Sequence, residues 1–264
     1  MTFSPEEDLE LAHQLADAAD KQSMARYRAS DLRVETKPDL TPVTEADKAV
    51  EQLIRTMLSA ARPDDGVVGE EFGGDAALEP VRRWIVDPID GTKNYVRGVP
   101  VWATLIALAD EAGIAVGLVS APALGRRWWA TRGGTAYTRD VDGSTRAIHV
   151  SAVANIGDAS FSFSDGIGWE VHGEAGPAGL QTLVSSAWRT RGYGDFLSHM
   201  LVAEGAVDIA AEPQLAPWDV AALVPIVESA GGRMTGYDGR PCLESGSGLT
   251  TNGVLHDYAL GLFR

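Results

Sequence analysis

The sequence predicts a mixed fold, with an α+β first half followed by an α/β second half. Two amphipathic helical segments precede a series of short apolar strands in residues 1–150. From residue 151 onward strands alternate with helices, which is typical of an α/β arrangement. No repeat or flexible linker separates the halves. We therefore expect 1–150 and 151–264 to share one rigid interface and to form one compact unit.

The composition limits the class of partner. The chain has 264 residues, of which 45% are hydrophobic, which is ample for a large core. A formal charge of −15 and a pI near 4.7 argue against nucleic acid or an anionic membrane as the partner. They do not argue against a phosphate ester, because a bound divalent metal reverses the local field.

The sequence also indicates a cytoplasmic location. Cys242 is the only cysteine, so no intrachain disulfide can form, as expected in a reducing compartment. The acidic N-terminus lacks the basic and apolar segments of a secretory signal. No apolar run reaches the roughly 18 residues that a membrane span requires.

The first half is expected to place two helices against an antiparallel sheet. A capping box at Ser4, with proline at the first helical position, predicts a helix over about 5–27, and Thr44 begins a second helix. An ordered loop is expected over 38–42. Apolar runs between turn residues predict strands over 32–37, 66–71, 84–86, 101–109, 114–119, 126–131, 136–139 and 147–150.

Two of these strands carry further expectations. The strand from Trp84 should end at Asp87, because Pro88 cannot donate to a ladder. Trp128 and Trp129 should lie on opposite faces of their strand.

The second half is expected to alternate strands with helices. Strands are predicted over 159–163, 189–193 and 207–211, and helices over 179–188, 195–204 and 218–229. Gly231 and Gly232 stand where a C-cap glycine ends the last of these helices.

Two acids leave the predicted strand end together. Asp87 and Asp90 flank a proline that fixes the backbone, and Gly91 permits a tight turn directly after them. With the carbonyl of Ile89 facing the same way, they would form an all-oxygen site suited to Mg²⁺ or Mn²⁺. The alternative is an ordinary turn whose acids cap their own backbone.

The twelve residues WIVDPIDGTKNY, at 84–95, resemble the W-x-x-D-P-x-D-G-T-x-N-[FY] signature of the inositol monophosphatase family. Three other segments are similar to motifs of that family: PVTEADKAVE at 42–51, GEE at 69–71, and WDVAA at 218–222 with ESAGG at 228–232. The resemblance implies a layered αβαβα sandwich. It also implies a Mg²⁺-dependent, lithium-sensitive phosphomonoesterase that forms a homodimer.

The resemblance also implies the metal ligands. Glu70, Asp87 and the Ile89 carbonyl would hold one Mg²⁺, and Asp87, Asp90 and Asp219 a second. A third, weaker position would lie near Glu70. In the absence of the resemblance, Asp219 would be explained by the free N–H groups and dipole of its helix.

The catalytic roles follow from the same resemblance. Glu70 and Thr92 would position and deprotonate a water molecule, and Asp47 would orient Thr92. The phosphate would meet the N–H groups of Gly91 and Thr92. Two local alternatives remain open: Asp47 also completes a capping box with Thr44, and Glu71, next to Glu70, is expected on the opposite face as a surface acid.

The leaving alcohol must be recognised by other residues. Where inositol phosphatases carry a small Gly-Thr-Ala segment, this chain has Gly194-Asp195-Phe196, and Asp195 with Glu212 suits an ammonium or imidazolium group. The segments 94–104, 121–129 and 191–195 are similar to the histidinol-phosphatase branch of the family. This predicts hydrolysis of L-histidinol phosphate.

The substrate contacts implied are Gly91, Thr92, Arg191, Gly194, Asp195, Glu212 and Asp219. Asp195 could instead be the N-cap of the helix that follows, and Arg191 could merely pair with an acid. The alternatives for function are hydrolysis of inositol phosphate or of a related sugar or nucleotide phosphate, and an inactive metal-dependent binding module.

Overall fold

The computed structural model describes residues 3–38, 40–74 and 82–264, so Asp39 of the predicted loop lies outside the described residues. The helices are α1 (Pro5–Met24), α2 (Glu45–Ala61), α3 (Thr92–Arg97), α4 (Ala175–Ser186), α5 (Asp195–Ala203), α6 (Pro217–Val220), α7 (Leu223–Ser229), α8 (Cys242–Ser245) and α9 (His256–Gly261). Within these described ranges, no helix is both long enough and apolar enough to cross a bilayer.

The strands form three sheets. They are β1 (Val34–Thr36), β2 (Pro42–Thr44), β3 (Gly66–Gly69), β4 (Arg83–Asp90), β5 (Ala103–Asp110), β6 (Gly113–Ala121), β7 (Arg126–Thr131), β8 (Tyr137–Arg139), β9 (Thr145–Ala147), β10 (Ser160–Ser162), β11 (Arg189–Arg191), β12 (Ile209–Glu212), β13 (Arg233–Thr235) and β14 (Gly248–Thr251). Strands β1 and β2 form a small antiparallel pair.

The two large sheets differ in strand direction. The first has the order β3-β4-β5-β6-β7-β8-β9, and all its pairs are antiparallel except β3 with β4. The second has the order β11-β10-β12-β14-β13, in which β10 is parallel to both β11 and β12. The carboxyl ends of β10 and β12 therefore lie at the same sheet edge.

Helices and sheets stack in five layers. Helices α1 and α2 bury residues such as Leu15 and Ile54 against one face of the seven-stranded sheet. Helices α5 and α7 fill the space between the two sheets with residues such as Phe196 and Ile226. Helices α4 and α9 cover the outer face of the five-stranded sheet. This arrangement is the predicted αβαβα sandwich.

Most predicted elements are present with ends that differ by a few residues. The β5–β6 hairpin is confirmed. Trp128 packs in the layer between the sheets, whereas Trp129 packs beside α1 and α2, so the two side chains do lie on opposite faces.

Two expectations about segments that contain proline were wrong. Strand β4 continues through Pro88 to Asp90, because the register shifts between Asp87 and Asp90 and the irregularity needs no ladder N–H from Pro88. The predicted helix over 218–229 is divided into α6 and α7, because Pro225 cannot bond to a carbonyl four residues back and its ring would clash there. Proline is tolerated in the first turn of α7.

Candidate active site

Three aspartates meet at the irregular end of β4. Asp87 and Asp90 come from that strand, and Asp219 comes from the first turn of α6. Each offers a carboxylate oxygen, and these oxygens all lie within 4.8 Å of one another. Segments from both halves of the chain therefore build one cluster.

Backbone N–H groups fix one oxygen of each aspartate. Asp87 Oδ1 accepts from Ile89 N at 2.9 Å, so Asp87 has the local turn contact that an Asp-Pro segment favours. Asp90 Oδ2 accepts from Phe196 N at 2.9 Å, in the first turn of α5. Asp219 Oδ2 accepts from Ala216 N at 2.7 Å. The local explanations and the cluster are thus compatible.

The electrostatics of the cluster are unfavourable without a cation. Burial, reinforced by the neighbouring acids, raises the pKa of Asp87 and Asp90 well above the usual range. Burial raises the pKa of Asp219 to about 7, although its backbone hydrogen bond acts in the opposite direction. A set of buried oxygen ligands that repel one another fits a hard divalent cation such as Mg²⁺.

Glu70 lines the same cavity but stands apart from the aspartate cluster. Lys37 Nζ lies 2.7 Å from Glu70 Oε1 and 2.6 Å from Glu71 Oε1. The expectation that Glu71 is a surface acid was wrong, because its side chain is only 4% exposed. Strand β3 ends at Gly69, so the two acids occupy a turn rather than alternating along a strand.

The buried carboxylate of Glu51 accepts hydrogen bonds from the backbone of that turn. Its Oε2 accepts from Glu71 N at 2.7 Å and its Oε1 accepts from Phe72 N at 3.2 Å. A Cβ atom at Gly69 would lie 2.1 Å from Glu51 Oε1. The glycine therefore permits the close approach that places Glu70 at the cavity.

Asp47 makes both contacts that the sequence suggested. It completes the capping box of α2, accepting from Thr44 N at 2.8 Å. Its other oxygen, Oδ1, accepts from Thr92 Oγ1 at 3.2 Å. Thr92 Oγ1 is also 3.0 Å from the carbonyl oxygen of Ile89. Burial raises the pKa of Asp47, and the hydrogen bonds from Thr44 oppose that shift.

Two adjoining cavities open at the cluster. The larger, of about 640 Å³, is lined by Glu70, Asp87, Ile89, Asp90, Gly91, Thr92, Lys93, Asp195 and Asp219, among others. The smaller, of about 400 Å³, extends toward the end of the five-stranded sheet and is lined by residues that include Ser164, Asp165, Asp195, Phe196 and Glu212. Lys93 and Asp195 border both cavities.

Asp195 is not the N-cap of α5. Gly194 occupies that position. Asp195 Oδ2 instead accepts from Asn94 Nδ2 at 2.8 Å. Burial raises the pKa of Asp195 to about 6, whereas Lys93 and the Asn94 hydrogen bond act to lower it. The carboxylate therefore belongs to the cavity wall.

Glu212 ends β12 and is only 5% exposed. Its Oε1 accepts from Ser164 Oγ at 2.6 Å. Burial raises the pKa of Glu212 to about 8, and the Ser164 hydrogen bond opposes that shift.

Two predicted contacts do not reach either cavity. Arg191 is exposed and donates to the Thr190 carbonyl at 2.7 Å, and no carboxylate in the described parts of the chain lies within ion-pair distance of it. Gly194 is buried outside both linings, with a φ of +84°. Gly194 thus provides the left-handed turn that presents Asp195.

Sequence reasoning missed Lys93 and Ser164. Lys93 occupies the variable position of the D-G-T-x-N signature, so no motif marked it. A signal for Ser164 did exist, because it follows the predicted strand 159–163 and Glu212 follows the predicted strand 207–211. Side chains at the carboxyl ends of parallel neighbours meet at one edge.

Comparisons with known proteins agree with this geometry. The family model described as the inositol monophosphatase family matches residues 4–264. A histidinol-phosphatase of Streptomyces coelicolor is 58% identical over 97% of this chain and 96% of its own, and one of Mycobacterium tuberculosis is 56% identical over 96% of both. The structure of the extragenic suppressor protein suhB from Bartonella henselae superposes with a TM-score of 0.86 at 27% identity, covering 97% of both chains.

The four sequence motifs, the five-layered fold and these comparisons all lead to one assignment. The chain belongs to the inositol monophosphatase family.

Proposed function

We propose that this protein is a Mg²⁺-dependent phosphomonoesterase that hydrolyses L-histidinol phosphate to L-histidinol and phosphate. The observation that carries the choice of substrate is the pair of carboxylates, Asp195 and Glu212, beside the aspartate cluster. Carboxylates bind the cationic groups of histidinol more strongly than the neutral hydroxyl groups of a polyol, because both partners of the hydrogen bond are then charged. The names of the two most similar relatives reported above support the same choice.

The aspartate cluster is the proposed metal site. Asp87, Asp90 and Asp219 would hold one Mg²⁺, and Glu70, Asp87 and the Ile89 carbonyl another, with Mn²⁺ as a substitute and a third, weaker position near Glu70. When bound, Mg²⁺ places positive charge beside the phosphate oxygens and makes water a better nucleophile. The buried, mutually repelling carboxylates supply the negative charge that attracts the cation.

Thr92 and Glu70 are the proposed groups that act on the water. Asp47 Oδ1 and the Ile89 carbonyl are both acceptors for the single hydroxyl proton of Thr92, so the lone pairs of that oxygen are left to accept a hydrogen bond from water. Glu70 faces the same cavity and would take the proton. The hydrogen bond to Asp47 would keep the Thr92 hydroxyl in this orientation.

The rest of the cavity would bind the two ends of the ester. Gly91 and Thr92 would present backbone N–H groups to the phosphate, and Lys93 adds positive charge at the boundary between the cavities. Asp219 would contact the substrate near its ester oxygen. Asp195 and Glu212 would bind the part of the alcohol that carries the ammonium group.

The test is phosphate release from L-histidinol phosphate and from inositol 1-phosphate, with Mg²⁺ and after chelation. We expect a preference for histidinol phosphate that requires the metal. In Asp195→Ala, kcat/KM for histidinol phosphate should fall about 10-fold or more, since a hydrogen bond to a charged group contributes roughly 1.5–3 kcal/mol. The rate on inositol phosphate should change little.

Each outcome separates a different alternative. Equal use of both esters by the wild type would favour an inositol phosphatase. An unchanged preference in Asp195→Ala would remove Asp195 from substrate selection. No release from any ester would favour a binding module without turnover.

We also propose, from the family likeness, that the protein is a cytoplasmic homodimer inhibited by lithium. A single, buried and unpaired cysteine supports a reducing compartment. Sedimentation equilibrium tests the dimer, and titration of phosphate release with LiCl against NaCl tests the inhibition.

A further inference from the structure

Ser164 joins two elements that carry the proposed selectivity residues. It follows β10, and its hydroxyl donates to Glu212 Oε1, at the end of β12, over 2.6 Å. The same oxygen accepts from the backbone N–H of Asp195, at the start of α5, over 2.7 Å. One side chain therefore links both carboxylate residues at the wall of the smaller cavity.

The chemistry of the hydroxyl fixes the direction of both bonds. The Asp195 backbone nitrogen can only donate, so the single proton of Ser164 is left for the carboxylate of Glu212. A proton donor aimed at Glu212 stabilises its ionised form, which is the form that binds an ammonium group.

The backbone of Asp195 needs such a restraint. Its φ of +47° lies in the left-handed region, which a non-glycine residue adopts at a cost of about 1–3 kcal/mol. Three contacts hold it there: Ser164 on its own N–H, Asp90 on the N–H of Phe196, and Asn94 on its carboxylate. Only the contact from Ser164 also restrains Glu212.

We propose that Ser164 is a positioning residue that holds Asp195 and Glu212 at the spacing needed to bind the ammonium group of the ester substrate. The inference rests on the proposed function and adds a residue that no family motif in the sequence marked. The hydrogen bonds of Ser164 go to Glu212 and Asp195 and not to the aspartate cluster or Thr92, so its effect should depend on the leaving alcohol and not on the phosphate.

The test compares two esters in Ser164→Ala and Ser164→Thr. L-Histidinol phosphate carries the ammonium group, and glycerol 2-phosphate lacks any cationic group. In Ser164→Ala we expect KM for histidinol phosphate to rise about 10-fold, as for loss of one charge-assisted hydrogen bond, with kcat less affected. Kinetic constants for glycerol 2-phosphate should stay within about twofold. Ser164→Thr keeps the hydroxyl and should restore the wild-type ratio.

A matched control is Ser162→Ala, at the last residue of β10. Its hydroxyl bonds with Ser198 Oγ and accepts from Tyr193 N, and neither bond involves a carboxylate. Any loss in that variant should affect both esters equally.

The outcomes separate the two proposals. A wild type that shows no preference for histidinol phosphate contradicts the proposed function itself. A wild type with that preference, and a Ser164→Ala variant that keeps it, overturns the role of Ser164 alone. A Ser164→Ala variant that loses both esters equally, with a lowered Tm, assigns Ser164 an ordinary structural role. If the alanine variant does not fold, Ser164→Cys keeps the side-chain size with a weaker donor and must show the same selective rise in KM.

Discussion

At the scale of single residues, Asp90 combines a folding task with the proposed metal site. Its Oδ2 accepts from Phe196 N, which connects β4 with the first turn of α5. The pKa of Asp90 is raised because burial, Asp195 and Asp219 all oppose its ionisation. In the absence of metal, the ionised carboxylate of Asp90 therefore lowers the stability of the folded protein.

Asp90→Asn should for this reason raise stability and abolish turnover. The amide oxygen can still accept from Phe196 N, while the negative charge is lost. In the presence of chelator, Tm should rise by about 2–4 °C for each 1 kcal/mol of repulsion removed. The increase in Tm that we expect Mg²⁺ to give the wild type should be absent from this variant, because ligand binding to the folded state is the source of that increase.

Thermal unfolding with EDTA and with Mg²⁺, together with phosphate release, measures all three effects. Asp64→Asn serves as the control because Asp64 is an exposed acid that lines neither cavity. Near-wild-type turnover in Asp90→Asn would remove Asp90 from the site. A Tm of Asp90→Asn below that of the wild type in chelator would show that the hydrogen bond from Phe196 N to the charged carboxylate contributes more than the repulsion from the neighbouring acids costs.

Residue-level prediction was possible where one continuous segment carried the information. Asp87, Asp90 and Thr92 stand within six residues, and the string around them has few other uses. Ser164 is different, because its role depends on Asp195 and Glu212, which lie 31 and 48 positions away. The sequence showed that Ser164 and Glu212 each follow a predicted strand, but nothing in it indicated the contact of Ser164 with the N–H of Asp195.

At the scale of elements, Pro88 and Pro225 show that the effect of a proline on a strand or helix depends on where it lies in that element. Pro88 was expected to end β4, but it lies where the register shifts and no ladder bond is required. Pro225 was overlooked inside a predicted helix, yet it separates α6 from α7. The division places Asp219 on a short helix of its own beside β4.

Gly117, in the middle of β6, sets how closely this helix pair approaches the sheet. A Cβ atom there would lie 2.2 Å from the carbonyl oxygen of Ala222 and 2.5 Å from the ring of Pro225. Backbone cannot give way as a flexible side chain does, so the α6–α7 junction must shift outward. The shift would move Asp219 away from its two partners on β4.

Gly117→Ala should therefore destabilise the protein by about 1–3 kcal/mol, the usual cost of overpacking. It should also weaken Mg²⁺ binding, measured by calorimetry on folded protein. Gly157→Ala is the matched control, because its Cβ would meet nothing within 4 Å and its residue is exposed. Wild-type stability and Mg²⁺ affinity in Gly117→Ala would mean that the junction tolerates the methyl group without moving Asp219.

At the scale of the whole molecule, the layered fold was predictable from the motifs, and its final elements were not. No expectation was made beyond Gly232, although β13, α8, β14 and α9 follow. Strands β13 and β14 have four residues or fewer, and their side chains are covered by α8 and α9, so no long periodic pattern marks them. Tertiary packing, more than local propensity, defines these segments.

The same packing determines whether the two halves of the chain can exist apart. Between the sheets, Val119 and Leu105 from the first half pack with Phe196 and Ile226 from the second in one core. Glu204 adds ion pairs with two arginines across the same boundary, Arg126 at 2.7 Å and Arg146 at 2.6 Å. A chain of residues 1–150 would expose one apolar face of its sheet to water, which costs roughly 25 cal/mol for each Å².

We therefore expect residues 1–150 and residues 151–264, produced separately, each to fail to fold into a stable monomer. Co-expressed, they should assemble into a complex with the phosphatase activity and the Mg²⁺-induced rise in Tm expected of the intact chain, because 1–150 supplies Asp87 and Asp90 and 151–264 supplies Asp219. Size-exclusion chromatography, near-ultraviolet circular dichroism and phosphate release measure these properties, with the intact chain as reference. A folded, monomeric 1–150 with a cooperative unfolding transition would show instead that the first half is an independent domain, and that the middle layer is a docking interface between two preformed units.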